Sequence, residues 1–498
     1  DIFDLCVKIQ YNYCNYSASI FVDNKFLAFF IKNNFTFSTI SLFKFIFLQI
    51  NKPVHKMELP QEFKETTARL LNDEFPSFIE ALETTAPTSI RYNDKSEPLL
   101  AGNSVPWCQN AIYLPERPLF TADPLFHGGA YYVQEASSMF LQQVVRRFFP
   151  NAETVLDLCA APGGKSTLLA QTLPGNCLLV SNEIIRSRAY VLAENLTKWG
   201  RENTLVSNND ATTFGKLRHF FDAIVVDAPC SGEGMFRKDN AAIAEWSSQN
   251  VELCAARQKD ILTDVWDALK PGGFLVYSTC TYNEHENEEN IKWAAETFDA
   301  EIILPDTAEF PEIMRTEAGC RFYPHKVVGE GFFISVLRKS NDEPFRPVSK
   351  LQTKKGMKFV KYSELPFLLH EPESRFYVND NNYVRAYPKP HFDRFMHLNA
   401  VLNCIDSGLL VAEIKGKDII PSAQLALSKA LDKNSCVCAD VDRDTALAFL
   451  KKESIVLDDY PKGYVLICFQ NVALGWVKNL GNRSNNLYPQ SWKIRMNL

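Results

Sequence analysis

Val155-Leu156-Asp157-Leu158-Cys159-Ala160-Ala161-Pro162-Gly163-Gly164-Lys165-Ser166-Thr167 runs from an apolar strand through a turn of small residues into a helix. Two common phosphate loops do not fit it. A Walker A loop needs Gly five residues before its Gly-Lys pair, and that position is Cys159; the G-x-G-x-x-G dinucleotide fingerprint is also absent. Gly163 and Gly164 let the backbone approach a ligand closely. The free N–H groups at the helix start suit a carboxylate. S-adenosylmethionine offers a carboxylate and no phosphate, and is the cofactor expected here.

Working outward, strands are predicted over 155–158, 177–181, 204–207, 223–227 and 274–278. Helices are predicted from 165 to 172 and over 186–199, 251–269 and 288–298. This alternation implies an α/β, Rossmann-like fold with a mostly parallel sheet covered by helices on both faces. Ligands of such sheets sit at the carboxyl ends of the strands. Three acids fall there: Glu183 after the second strand, Asp210 after the third and Asp227 at the end of the fourth. Glu183 is placed to accept from the two ribose hydroxyls, Asp210 to meet the adenine amine, and Asp227 to stand beside a reacting base. A lone acid at such a place is ordinarily a helix cap or surface carboxylate; three at successive strand ends favour a ligand.

Two cysteines end later strands: Cys230 in Asp227-Ala228-Pro229-Cys230-Ser231-Gly232 and Cys280 in Tyr277-Ser278-Thr279-Cys280-Thr281-Tyr282. A buried cysteine is ordinarily a small apolar residue. These two differ by lying on the ligand rim, each followed by turn-forming residues. Their chemistry suits cytosine, whose C5 is too electron-poor to take a methyl group unaided. A thiolate adding to C6, with a proton supplied near N3, leaves an enamine with carbanion character at C5. Asp227 is placed to hydrogen-bond N3 or the exocyclic amine. The nucleotide must leave its stack to reach such a site.

With Gly234-Met235-Phe236-Arg237-Lys238-Asp239, Arg257-Gln258-Lys259-Asp260-Ile261-Leu262 and Glu286-Asn287-Glu288, these motifs resemble the NOL/NOP/Sun-type RNA cytosine-5 methyltransferases. The resemblance implies that Cys280 attacks the base and Cys230 assists release. DNA cytosine-5 methyltransferases use the Pro-Cys cysteine as nucleophile instead. It further implies that Cys159, Ala160, Ala161, Pro162, Gly163, Gly164, Lys165, Glu183, Asp210 and Asp227 line the S-adenosylmethionine site. Tyr132-Val133-Gln134-Glu135-Ala136-Ser137-Ser138-Met139, Leu474-Gly475-Trp476-Val477-Lys478, Gly481-Asn482-Arg483 and Asn486-Leu487-Tyr488-Pro489 are similar to flanking segments of bacterial members that act on 16S rRNA. The C-terminal ones imply a PUA-like RNA-binding module, and RNA, as rRNA or the small ribosomal subunit, is the implied partner. Three other readings remain: a family member acting on tRNA, a methyltransferase of nitrogen or a small molecule, and a non-catalytic RNA-binding assembly factor. Nitrogen methylation would not need the cysteine pair.

A chain of 498 residues suggests two to four domains. Its 46% hydrophobic and 22% charged content is that of a globular protein. A net charge of -6 excludes a uniformly basic coat, although RNA binding needs only a local basic face. The 13 cysteines are odd in number, lack any C-x-x-C spacing and approach a metal pair only at Cys436-Val437-Cys438. With eight scattered histidines they imply free thiols in a reducing cytoplasm and no metal. No membrane association is expected, and a monomer is.

Residues 1–56 hold ten of the 36 Phe and are crowded with residues that A/T-rich codons encode. They are expected to be a spurious or disordered extension, translated from DNA upstream of the start at Met57. Residues 57–130 are expected to form a helical N-terminal RNA-binding subdomain, 131–338 the methyltransferase domain, 339–404 a linker with an intermediate subdomain, and 405–498 the PUA-like β-rich domain. Within the last, 461–498 has no Asp or Glu and interleaves Lys462, Lys478, Arg483, Lys493 and Arg495 with Tyr464, Phe469, Trp476, Tyr488 and Trp492. This stretch is expected to face RNA; the alternative is solvated surface lysines with Trp476 and Tyr488 in the core.

Overall fold

The computed structural model describes residues 58–95, 100–341 and 357–496. The expected N-terminal extension, most of the 339–347 linker and Lys350, Lys354 and Lys355 lie outside the described residues. The apolar spacing of Phe63, Leu71, Phe78 and Leu82 produces two helices, α1 (Gln61–Leu71) and α2 (Phe75–Leu82), which bury those four side chains. The helical reading fails beyond them. Strands β1 (Thr88–Tyr92), β2 (Asn103–Ser104), β3 (Ala111–Leu114) and β4 (Tyr131–Val133) form an antiparallel sheet in the order β2-β3-β1-β4. Strand β1 is central and buried almost throughout, so its residues show no half-polar alternation to mark it as a strand.

After helix α3 (Leu141–Phe148), the chain alternates as expected: β5 (Thr154–Asp157), α4 (Gly164–Thr172), β6 (Leu178–Asn182), α5 (Arg186–Trp199), β7 (Thr204–Ser207), β8 (Phe221–Asp227), α6 (Ser248–Trp266), β9 (Leu269–Thr279) and α7 (Glu288–Phe298). Strands β9, β8, β5, β6 and β7 lie side by side and parallel. Their apolar residues on both faces meet two separate cores, one containing Val155, Leu179, Val206 and Val225, the other Leu156, Val180, Leu205 and Ile224. That burial on both sides is why they read as continuous apolar runs. The strand order reverses beside β5, which opens a crevice at the carboxyl ends. Beyond β9, β13 (Phe332–Arg338) adds an antiparallel neighbour, itself paired with β10 (Glu301–Ile303) and β12 (Cys320–Phe322), the latter flanked by β11 (Met314–Arg315). Helix α5 ends at Gly200, with φ +88; a Cβ there would stand 2.4 Å from the backbone oxygen of Leu427, so only glycine fits.

The boundary expected after residue 404 falls inside continuous structure. Strand β17 (Cys404–Ser407) joins the large sheet, antiparallel to β7. The next strands, β18 (Leu409–Lys415) and β19 (Asp418–Pro421), complete a five-stranded sheet with β14 (Lys358–Phe359), β15 (Arg375–Asp380) and β16 (Tyr383–Pro388). A four-residue edge strand with one fully buried position carries too little pattern to be seen in sequence. Strands β20 (Val437–Asp440), β21 (Gly463–Phe469), β22 (Val472–Asn479) and β23 (Ser484–Asn486) form the last sheet.

The aromatic residues expected to face RNA are in large part internal. Trp476 and Tyr488 are each 1% exposed, and Trp476 packs on Phe367 with ring centres 5.2 Å apart. Tyr464 donates to Asp418 at 2.9 Å and Lys478 pairs with the same carboxylate at 2.6 Å. An acid-free stretch therefore meets its acid from another strand, a pairing that composition alone does not reveal. Among the described residues no helix is long and apolar enough to cross a membrane, and no group of three His, Cys, Asp or Glu is arranged to hold a metal.

Candidate active site

The turn between β5 and α4 is pinned from several sides. Gly163 has φ +116 and leads directly into the helix. Ala160 N–H donates to Asn182 O at 2.8 Å, Arg188 Nη2 to Ala161 O at 2.9 Å, and Asn195 Nδ2 to Pro162 O at 2.8 Å. The residues 159–165 singled out in sequence thus form one rigid cradle, its carbonyls taken by α5 and the N–H groups of the first turn of α4 left for a ligand.

Arg91, on β1, supports the cradle from beneath and carried no expected role. It is fully buried and donates to Gly164 O at 3.4 Å, Thr167 Oγ1 at 2.6 Å, Gln171 Oε1 at 2.5 Å and Gln134 Oε1 at 3.0 Å. Its guanidinium also lies over the Trp199 ring at 4.5 Å. All these hydrogen-bond acceptors are neutral, and burial pushes its pKa down to about 10. The sequence signal was a lone cation inside a short apolar run, Ile90-Arg91-Tyr92.

Asp157 closes the floor. Its Oδ2 accepts from Ser166 Oγ at 2.6 Å, and its buried Oδ1 has no hydrogen-bond partner among the described residues. Burial lifts the carboxyl from its ordinary 3.8 to about 7, against the lowering effect of Ser166. In the unfolded chain the group ionises near pH 4, whereas in the fold it keeps its proton until about 7. Folding therefore binds a proton in that window, and stability falls as pH rises through it. Asp157→Asn keeps the acceptor for Ser166 and removes the titration. The melting temperature of cofactor-free wild type is expected to fall relative to this variant between pH 4 and 7, then run parallel to it. Parallel curves throughout would contradict the assignment.

The three acids at strand ends differ in setting. Glu183 is 3% exposed, accepts from Ile185 N–H at 2.9 Å and has Arg188 Nη1 3.8 Å away. Asp210 is exposed at the rim and caps the short helix Ala211–Phe214, accepting from Thr213 N–H at 3.3 Å. Its carboxylate thus serves as the cap that a lone acid ordinarily is. Asp227 closes β8, with Lys165 Nζ 2.8 Å from Oδ2 and Ser278 Oγ donating to Oδ1 at 2.8 Å. Burial alone would depress the Lys165 ammonium, but Asp227 and nearby Cys280 together hold its pKa above the ordinary lysine value. Cradle N–H groups, an unpartnered carboxylate oxygen and a buried acid one strand away suit, respectively, the carboxylate, the ammonium and the ribose of S-adenosylmethionine.

The two cysteines, 50 positions apart in sequence, are in contact: Cys230 Sγ lies 3.2 Å from Cys280 Sγ. Adjacent parallel strands β8 and β9 deliver them to the same rim. The hydrogen bond with Cys280 and then burial raise the Cys230 thiol well above its ordinary value, so it keeps its proton at neutral pH. Gly234 N–H donates to Cys280 O at 2.8 Å, and a Cβ at Gly234 would lie 2.8 Å from that same oxygen. The close approach of the two cysteine loops requires glycine there.

Three families match along the chain: 16S rRNA methyltransferase RsmB/F over residues 149–338, the N-terminal domain of 16S rRNA methyltransferase RsmF over 59–136, and the methyltransferase RsmF PUA domain over 436–494. Ribosomal RNA small subunit methyltransferase F of Pectobacterium carotovorum is 36% identical over 488 residues, covering 87% of this chain and 95% of its own. The protein of the same name from Shewanella sp. ANA-3 is 34% identical over 416 residues, covering 78% and 84%. The crystal structure of PH0851 superimposes with a TM-score of 0.53 at 23% identity, covering 57% of this chain and 67% of that one, and so shares the fold. With its N-terminal, catalytic and PUA segments matched in order and close to nine-tenths of its length aligned to full-length relatives, the chain belongs to the RsmB/F family of 16S rRNA methyltransferases.

Proposed function

We propose that the protein transfers a methyl group from S-adenosylmethionine to C5 of a cytosine in small-subunit rRNA. The observation that carries this reading is the contact of two thiols, 3.2 Å apart, beside the Lys165–Asp227 pair. A nitrogen methyltransferase has no use for such a pair.

The cofactor, when bound, supplies an electrophilic methyl group. The cradle from Cys159 to Lys165 holds its amino-acid end, and Glu183 holds the ribose. Asp227, fixed by Lys165 and Ser278, hydrogen-bonds the N3 and amino edge of the cytosine. The Cys280 sulfur bonds to C6, and a proton supplied at N3 leaves electron density at C5. After methyl transfer a base from solvent takes the C5 proton, the S–C6 bond breaks with its electron pair returning to Cys280, and N3 gives back its proton. Cys230 is the only other thiol in contact with Cys280 among the described residues and assists that release. RNA is the partner, and the cytoplasm the place where it is met.

The test uses S-adenosylmethionine labelled in the methyl group, with total RNA and isolated small subunits as substrates. Label is expected in 5-methylcytidine of 16S rRNA. Label in tRNA would redirect the substrate, label in an N-methylated nucleoside would overturn the chemistry, and RNA binding without label would favour an assembly factor.

A further inference from the structure

The loops that carry the two cysteines are tied together by a pair of buried carboxylates that neither cofactor nor base recognition uses. Glu233, three residues after Cys230, reaches across to the other loop: its Oε2 accepts from Tyr282 N–H at 2.7 Å and Asn283 N–H at 3.0 Å. Its Oε1 accepts from Trp246 Nε1 at 2.9 Å and Asn283 Nδ2 at 3.1 Å. Glu286, six residues after Cys280, reaches back: its Oε2 accepts from Ser231 N–H at 3.0 Å and Gln258 Nε2 at 2.8 Å. Its Oε1 accepts from Asn283 Nδ2 at 2.8 Å. The residues that follow each cysteine touch directly, Ser231 Oγ to Thr281 Oγ1 at 3.0 Å. Gln258 Nε2 also donates to Pro229 O at 3.0 Å. Each loop therefore supplies the acid that binds the other, and Asn283 joins both acids.

Glu233 and Glu286 are 2% and 0% exposed, and every donor named is neutral. Burying two charges without a cation is costly, and neutral side chains would hold a loop more cheaply if stability were the only demand. What the carboxylates give is geometry: Glu233 fixes three N–H groups of Tyr282 and Asn283 at once, and Glu286 holds Ser231 N–H of the opposite loop together with Gln258, whose amide also holds Pro229 O. The reaction is sensitive to that geometry: one sulfur must reach C6 and leave it while the other stays within contact, and a displacement of about 1 Å costs on the order of a hundredfold in rate. Resting on the cytosine-5 reading above, we propose that Glu233 and Glu286 are positioning residues, a reciprocal clamp that holds Cys230 against Cys280 so that the covalent enzyme–RNA adduct is released.

The test compares full-length Glu233→Gln, Glu286→Gln, their double variant and Asn283→Ala with wild type, Cys230→Ala and Cys280→Ala. Each is incubated with S-adenosylmethionine and small-subunit RNA, and both turnover and the adduct surviving a denaturing gel are measured. The clamp predicts kcat lower by about tenfold or more. The share of enzyme trapped as adduct should rise severalfold, and KM for S-adenosylmethionine should stay within about twofold. The double variant should be no worse than the poorer single, since the two acids act as one device. Wild-type turnover in folded variants would overturn the proposal. So would activity lost in step with cofactor affinity and without adduct, or failure of all these variants to fold, either of which would assign the acids to structure alone. If Cys230→Ala and Cys280→Ala alike trap no adduct, the cytosine-5 reading fails, and that result is separate from the clamp.

Discussion

Cys280→Ala is expected to lower methyl transfer by roughly a thousandfold or more and to abolish any covalent adduct with RNA, as removal of a nucleophile does. Cys230→Ala should lose comparable turnover for the opposite reason, by accumulating an adduct that survives a denaturing gel. The asymmetry follows from the proposed order of events, in which the attacking sulfur is needed before the adduct exists, and its neighbour 3.2 Å away only afterwards. Neither substitution should change S-adenosylmethionine binding greatly, because the cradle from Cys159 to Lys165 is pinned by Asn182, Arg188, Asn195 and Arg91 and not by either thiol. The double variant Cys230→Ala/Cys280→Ala should form no adduct. An adduct that persists without Cys280 would reverse the two roles. Its absence in every variant, with cofactor binding intact, would remove covalent catalysis from consideration.

Arg321→Leu is expected to cause the largest loss of stability. Arg321 on β12 and Glu288 at the start of α7 form a buried ion pair, their side chains 3% and 8% exposed, with Nε 2.6 Å from Oε1. The guanidinium also donates to the Tyr282 carbonyl and, at 3.0 Å, to Tyr323 Oη. Removing one member leaves Glu288 charged and unpaired in a dry site, at a cost of about 3–5 kcal/mol. Chemical denaturation should read that loss directly. Arg321→Leu/Glu288→Leu should recover a good part of it, since paired removal eliminates the orphaned charge. A double variant as unstable as the single would show that packing and the Tyr282 contact matter more than the ion pair. Because Tyr282 stands two residues after Cys280, the single variant should also lose activity at temperatures where it remains folded.

How much of this was legible in sequence depends on how local each signal was. The α/β alternation, the helices over 186–199 and 288–298 and the strand over 204–207 are matched to the residue by α5, α7 and β7, because period and turn chemistry act within a dozen positions. The small-residue turn and both cysteine motifs were equally plain, since each ends a strand in an unusual composition. The N-terminal sheet was missed because β1 is buried on both faces, and β17 because four residues at an edge carry no period. The setting of the tail aromatics was only partly legible for a related reason: the partners of Trp476, Tyr464 and Lys478 are Phe367, in a loop, and Asp418, on β19.

The chain's order of residues by itself determined the class of the fold and the strand ends that carry the small-residue turn and the two thiols, for these follow from short-range periodicity and from composition carried by single residues. Only the tertiary structure decided that the thiols touch, that Arg91 underpins the cradle, and that Glu233 and Glu286 each secure the other's loop. Such contacts join residues tens of positions apart, and a buried charge betrays its partner only when the strands that carry both are brought side by side.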